Sequence, residues 1–205
     1  MPMGRNGWCR ITCSSVADGA AMHRRPFRHS EWLLALLLAG AAVAGRPAIR
    51  PVPHVDLTRF MGTWYLVGGI PTAFERDAWN AVETYTLLED GSIRTTLSFN
   101  QGGADGPRKH IEAPARVRPG TNNAVWDVRV FGPVKAQYVV AWLRDDYSLT
   151  LVARDARDYA WVFARTPAVA EADLEPVRQH LGRLGYDLAK WRTVPHTGTT
   201  LAESR

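Results

Sequence analysis

Between Thr63 and Arg165 the chain repeats one unit, a short segment of alternating apolar and polar side chains closed by turn-forming residues. Residues 124–131 show it best: Trp126, Val128 and Val130 fall on one side, Asp127 and Arg129 on the other. That is the two-residue period of a half-buried strand. Residues 108–118 repeat it, with Ile111, Ala113, Ala115 and Val117 opposed to His110, Glu112, Arg116 and Arg118. Residues 81–88 run into Glu89-Asp90-Gly91, an Asp-Gly turn of the kind that joins antiparallel strands, and residues 92–99 follow. Residues 63–67, 137–143, 148–153 and 159–165 bring the count to about eight, the number that closes into a barrel with room for one small ligand. The predicted fold class is all-β, an eight-stranded antiparallel up-and-down barrel.

Alternation also says which side chains look inward. It places Tyr85, Leu87, Ile93, Leu97, Phe99, Tyr138, Val140, Trp142, Trp161 and Phe163 inside, together with Ile111, Trp126, Val128 and Val130. Such a set describes either a filled barrel or one with an apolar lumen. Glu83 alternates with Tyr85 and so points inward as well, where a carboxylate is costly unless paired or neutralised. Either it lies near the mouth and meets water or a ligand head group, or a local bulge turns it out to solvent. Glu83 and the inward residues other than Leu87 are the candidate ligand-binding group. Tyr85, Tyr138 and Glu83 are the polar members suited to setting specificity.

One end of the barrel is marked separately. Gly62 lets the chain turn, Trp64 opens the first strand, and Arg165 closes the last. A guanidinium over an indole face forms a cation–π contact of about 0.5–2 kcal/mol, depending on desolvation. Gly62, Trp64 and Arg165 are therefore read as a structural floor, which leaves the other end as an open mouth. Residues 70–80, with Phe74 and Trp79 among polar neighbours, are either a lid over that mouth or an interface patch.

The first 44 residues stand apart. Arg24-Arg25-Pro26-Phe27-Arg28-His29 is a basic stretch, residues 32–43 are apolar, and Ala42-Val43-Ala44 offers a cleavage site. This is the pattern of a secretory signal peptide, with Met22 as a candidate true start. The apolar run is short of the about 20 residues that a transmembrane helix needs. Cys9 and Cys13 both precede the cleavage site, so the mature chain is expected to have no disulfide and no cysteine for lipid attachment. Cleavage removes five Arg and two acids, taking the formal net charge from +5 to +2. About 160 residues remain, the size of one domain. No basic stripe interleaved with aromatics points to nucleic acid.

After the strands the period changes. Leu174, Val177, Leu181 and Leu184 follow helical spacing, predicting one amphipathic helix over about 173–184 on the outside of the barrel. Asp173 is its expected cap, Pro176 sits in its expected first turn, and Gly185 ends it. Residues 45–54 are expected to be a linker, 55–196 the barrel domain, and 197–205 a polar disordered tail. No nucleophile with a base and an orienting partner is visible, and no His, Cys or carboxylate ligands share an inward face at metal-binding spacing. The expectation is a protein that is not an enzyme, with no metal and no cofactor.

Several stretches resemble the lipocalin family, and more closely the bacterial lipocalins related to apolipoprotein D. Residues 56–65, Asp-Leu-Thr-Arg-Phe-Met-Gly-Thr-Trp-Tyr, are similar to the family's opening motif, and Ile70-Pro71-Thr72-Ala73-Phe74-Glu75 resembles its first-loop signature. Asp145-Asp146-Tyr147 is similar to the second motif, and residues 157–167 to the third. The resemblance spans about Val55 to Trp191. It implies a barrel that binds a lipophilic ligand such as a fatty acid, a lysophospholipid or a similar membrane lipid, in the periplasm and with outer-membrane association, often as a lipid-anchored homodimer. The chain departs from the family where Leu66 and Gly69 replace an acidic and a basic residue, and where Glu83 stands in place of a small one. Lacking the anchoring cysteine, it is expected to be exported and soluble, with a structural role for a filled barrel as the alternative.

Overall fold

The computed structural model of the protein describes residues 46–131 and 134–197. The expected leader, both cysteines and the tail beyond Thr197 lie outside the described residues. A single turn of helix, α1 (Leu57–Phe60), precedes eight strands: β1 (Gly62–Ile70), β2 (Ala78–Leu87), β3 (Ile93–Gln101), β4 (Arg108–Val117), β5 (Val125–Phe131), β6 (Val134–Leu143), β7 (Leu149–Ala153) and β8 (Ala160–Ala164). Each pairs antiparallel with the next, and β1 pairs with both β8 and β2, which closes the barrel. Helix α2 (Glu171–Arg183), a 3₁₀ turn (Leu188–Lys190) and a two-residue strand β9 (Arg192–Thr193) on the edge of β1 complete the chain.

Two apolar clusters divide the wall. The inner one is rich in aromatics and includes Phe60, Trp64, Tyr85, Trp126 and Phe163. The outer one joins Val67, Val139, Ala141, Leu149, Leu151 and Val162 to Leu174, Val177 and Leu181 of α2. Burying three such helix side chains contributes several kcal/mol, at about 1.5–3 kcal/mol each, which holds a helix of this length to the barrel.

The helix departs from expectation at its start. It begins at Glu171 after Ala170, which makes no side-chain cap bond. Asp173 instead accepts from Arg144 Nη2 at 2.8 Å, so the carboxylate ties the helix to the β6–β7 turn. Pro176 lies inside the helix rather than in its first turn, and Gly185, at φ +89°, follows its C-cap Leu184. The stretch expected to be a linker is likewise attached: Val52 N donates to Val140 O at 2.9 Å, and Ile49 is buried.

Bulges decide the strand faces that alternation misplaces. Between β6 and β7 the register slips after Val140, and Trp142 pairs with Leu151. Val140 stays in the inner cluster, but Trp142 packs against the outer one. The inward placement of Trp142 is therefore overturned, because one extra residue reverses the face of those that follow. A second slip between Leu66 and Gly68 in β1 leads to Gly69 at φ +149°, where an added Cβ would meet Ala160 O at 2.1 Å. Gly69 is required by the backbone there, whatever charge relatives carry at that place.

Candidate functional site

Three separated stretches meet at the floor. Asp56 caps α1, its Oδ1 accepting from Thr58 N and Arg59 N, while Asp56 N donates to the Tyr147 hydroxyl at 2.9 Å. Arg59 lies 4.0 Å over the Tyr147 ring and donates to Asp145 O. The Arg165 guanidinium lies 3.8 Å over the buried Trp64 ring and donates to the carbonyls of Thr63, Arg59, Phe60 and Met61 at 2.6–3.1 Å. Trp64 Nε1 donates to Phe60 O at 2.8 Å. Gly62, at φ +93°, passes under the guanidinium, a backbone state that L side chains rarely adopt.

Above the floor the aromatic rings form a second layer. Trp126 is buried, stacks on Tyr138 at 4.9 Å and meets Phe60 and Tyr85 edge-on at 5.4 and 5.5 Å. The Tyr85 and Tyr138 hydroxyls are 2.6 Å apart and share one hydrogen bond, which leaves the accepting phenol's own proton for another partner. Burial pushes both phenols well above their ordinary range. These two rings are the inner wall of a cavity of about 330 Å³ that runs toward the mouth. Such a volume lies at the lower end of small-molecule sites.

Eight of the expected residues line this cavity: Glu83, Tyr85, Leu97, Ile111, Val128, Tyr138, Trp161 and Phe163. Ile93, Phe99, Trp126 and Val140 face the interior but pack into the inner cluster without reaching the cavity wall. Trp142 is on the opposite face, as described, and the Val130 side chain lies outside the described part of β5. Leu87, although paired with Ile93, is 43% exposed at the strand end, below the level where the barrel covers it. Thr95, Ala113, Ala136 and Leu66 also line the cavity, and all four obey the alternation of their strands.

The polar wall residues that alternation does not find come mostly from turns. Residues 71–77 form the β1–β2 turn, while Trp79 belongs to β2 and pairs with Asn100. Thr72, Ala73, Phe74 and Glu75 of that turn border the cavity, and Phe74 is 77% exposed. Glu75 folds inward: its carboxylate accepts from Thr72 N at 3.0 Å and from Trp161 Nε1 at 3.1 and 3.2 Å. That pair of contacts ties the turn to β8. From the β7–β8 side come Arg154 and Tyr159, with the guanidinium 5.5 Å over that ring and its Nε 3.4 Å from Asp158. Gln137 borders the cavity and exchanges hydrogen bonds with Asp155.

Glu83 faces the cavity and is buried, one inward position closer to the mouth than Tyr85. The slip in β2 falls between Trp79 and Val82, before it, and does not turn it out. Burial first, and Glu75 after it, push its carboxyl up to about 8 against the opposing pull of the Thr95 hydroxyl. Among the described residues no group of three or more His, Cys, Asp or Glu comes together as a metal site. The site therefore offers an apolar tunnel, a hydroxyl pair at its base and two carboxyls on its wall.

The chain is similar to known proteins over most of its length. Residues 55–196 match the family described as "Lipocalin-like domain". The chain is 30% identical to the "Outer membrane lipoprotein Blc" of Vibrio cholerae over 76% of its length and 90% of that protein, and 27% identical to its namesake in Escherichia coli strain K12 over 80% and 92%. It is 24% identical to apolipoprotein D of Rattus norvegicus over 68% of this chain and 76% of that one. Among solved structures, insecticyanin of the tobacco hornworm Manduca sexta overlays with a TM-score of 0.58 at 17% identity, over 75% of this chain and 87% of its own.

Proposed function

The chain belongs to the lipocalin family, and from that premise we propose that its cavity binds, stores or carries a lipophilic ligand of the bacterial cell envelope, without chemical conversion of it. The class is a fatty acid, a lysophospholipid or a similar membrane lipid. The single observation that carries this reading is the cavity of about 330 Å³ between the Tyr85–Tyr138 pair and the mouth, walled largely by Leu97, Val128, Phe163 and other apolar side chains. Burying an acyl chain contributes about 0.8 kcal/mol per methylene. Ten methylenes then give roughly 8 kcal/mol, which is micromolar affinity before the cost of immobilisation. Relatives that are outer membrane lipoproteins support an exported, periplasmic location near the outer membrane.

Native mass spectrometry of the protein purified from its envelope fraction tests this. The expected result is a bound mass that organic solvent extracts and that fragments as a lipid, and the same spectrum gives the mature N-terminus and the number of subunits. A bare polypeptide mass, with no uptake of added fatty acid or lysophospholipid, would favour a structural or interaction role instead.

A further inference from the structure

Two carboxyl groups face one small apolar cavity, and their surroundings differ. Glu75 and Glu83 are each only 8% exposed. The oxygens of Glu75 already accept from an indole and a backbone N–H. Glu83 has the Thr95 hydroxyl as its partner, and no Lys or Arg among the described residues pairs with it. A carboxylate accepts about four hydrogen bonds, so Glu83 retains accepting capacity directed at the cavity.

The other charged and titratable groups around it do not reverse this. On β2 and β6 the neighbours are the Tyr85 and Tyr138 phenols, joined to each other by one hydrogen bond. From the β7–β8 side come Tyr159 and Arg154, the latter 3.4 Å from Asp158 and over the Tyr159 ring, with its buried Nε making no hydrogen bond. Arg165 lies below the aromatic layer and is held by four carbonyls. The strands β3, β4, β5 and β8 present Thr95, Leu97, Ile111, Ala113, Val128 and Phe163 to the cavity. Among the described lining residues the wall thus carries two acids, Glu75 and Glu83, and one cation, Arg154, whose charge Asp158 offsets at 3.4 Å.

We propose that this cavity selects its ligand by head group, taking amphiphiles that end in an amine ahead of those that end in a carboxylate, with Glu83 as the recognition residue and Glu75 as its support. The proposal rests on the cavity being the ligand site and narrows the class named above, placing free fatty acids last. An entering ammonium supplies the donors that Glu83 lacks and is attracted by Glu75. An entering carboxylate meets the Glu75 charge in a low-dielectric space, where like-charge repulsion is weakly screened, and any ionisation of Glu83 adds to it. Because burial holds the Glu83 carboxyl at about 8, it is mostly protonated at pH 7. Pairing with an ammonium converts it to carboxylate, and the proton leaves to buffer.

Calorimetric titration with dodecylamine, dodecan-1-ol and dodecanoate, each below its micelle concentration at pH 7, tests this. The expected order of affinity is amine, alcohol, dodecanoate, with the amine at least about tenfold tighter than dodecanoate. Repeating the amine titration in buffers of different ionisation enthalpy should show close to one proton released, roughly the protonated fraction one unit below that titration midpoint. Glu83→Gln should remove the proton release and cut the amine-to-dodecanoate ratio below about threefold, in protein shown to be folded by its melting transition. Dodecanoate binding as tightly as the amine, amine binding without proton release, or an unchanged ratio in Glu83→Gln would each overturn the inference while leaving the cavity as the ligand site. Failure of all three compounds to bind would overturn the cavity reading itself, and the inference with it.

Discussion

The floor and the cavity wall are built from similar residues but treat their polar groups in opposite ways. At the floor, the half-buried Arg165 lies against Trp64 with four carbonyls around it, and Asp56, Arg59 and Tyr147 make further bonds. On the wall, Glu83 is buried against a hydroxyl and a second acid. A satisfied polar cluster adds stability and rigidity, whereas an under-satisfied one costs stability and is retained where a partner from outside can complete it. On the proposed function, the difference gives folding to one end of the barrel and recognition to the other.

The largest expected effect comes from removing the floor. Arg165→Ala uncovers the Trp64 face and leaves the carbonyls of Thr63, Arg59, Phe60 and Met61 without their shared donor. Chemical denaturation should show a loss of about 3 kcal/mol, while lipid affinity in the folded fraction changes less than about twofold. A change in ligand preference without loss of stability would reverse the two assignments.

The next effect sharpens the other side. Glu83 titrates near 8 when folded against 4.5 as an ordinary carboxyl, so the folded state keeps a proton that the unfolded chain loses. Its contribution is complete below pH 4.5 and is lost as pH rises toward 8. Stability measured by denaturation should therefore fall across that window, by up to about 1.4 kcal/mol per pH unit from this group. Glu83→Gln should flatten the decline, and an identical profile in variant and parent would remove Glu83 from the account.

Smaller effects separate lumen from wall. Val128→Trp places an indole in the cavity and should weaken lipid binding about tenfold, with at most about 1–3 kcal/mol of strain. Trp161 borders the cavity and Trp142 packs outside it, so lipid should change the fluorescence of Trp161. Trp161→Phe should abolish the response and Trp142→Phe should preserve it, and the opposite pattern would restore the inward placement of Trp142.

The floor was legible because its chemistry is local to short motifs. Gly62, Trp64 and Arg165 each carry a role that needs that residue type, and their meeting follows once the strands are counted. The lumen was legible only while alternation held. Leu97, Val128 and Phe163 obey it, but one slip after Val140 sent Trp142 outward, and bulges leave no mark in residue type. Glu75, Arg154 and Tyr159 lie in or beside turns, which have no period, so their meeting at the cavity wall was not visible in the chain. Pattern thus gave the polar residues of the strands, Glu83, Tyr85 and Tyr138, and missed those that the turns bring to them.

Ligand is expected in the lumen, above an inert floor. Photo-crosslinking with a dodecyl amphiphile carrying a diazirine near its chain end, followed by peptide mass spectrometry, tests it directly. The expected labels fall on cavity-wall residues such as Leu97, Val128, Phe163 and Tyr138, with none on Phe60, Trp64 or the outer helix. Labels confined to Phe74 and the outer surface, or spread onto the floor, would contradict it.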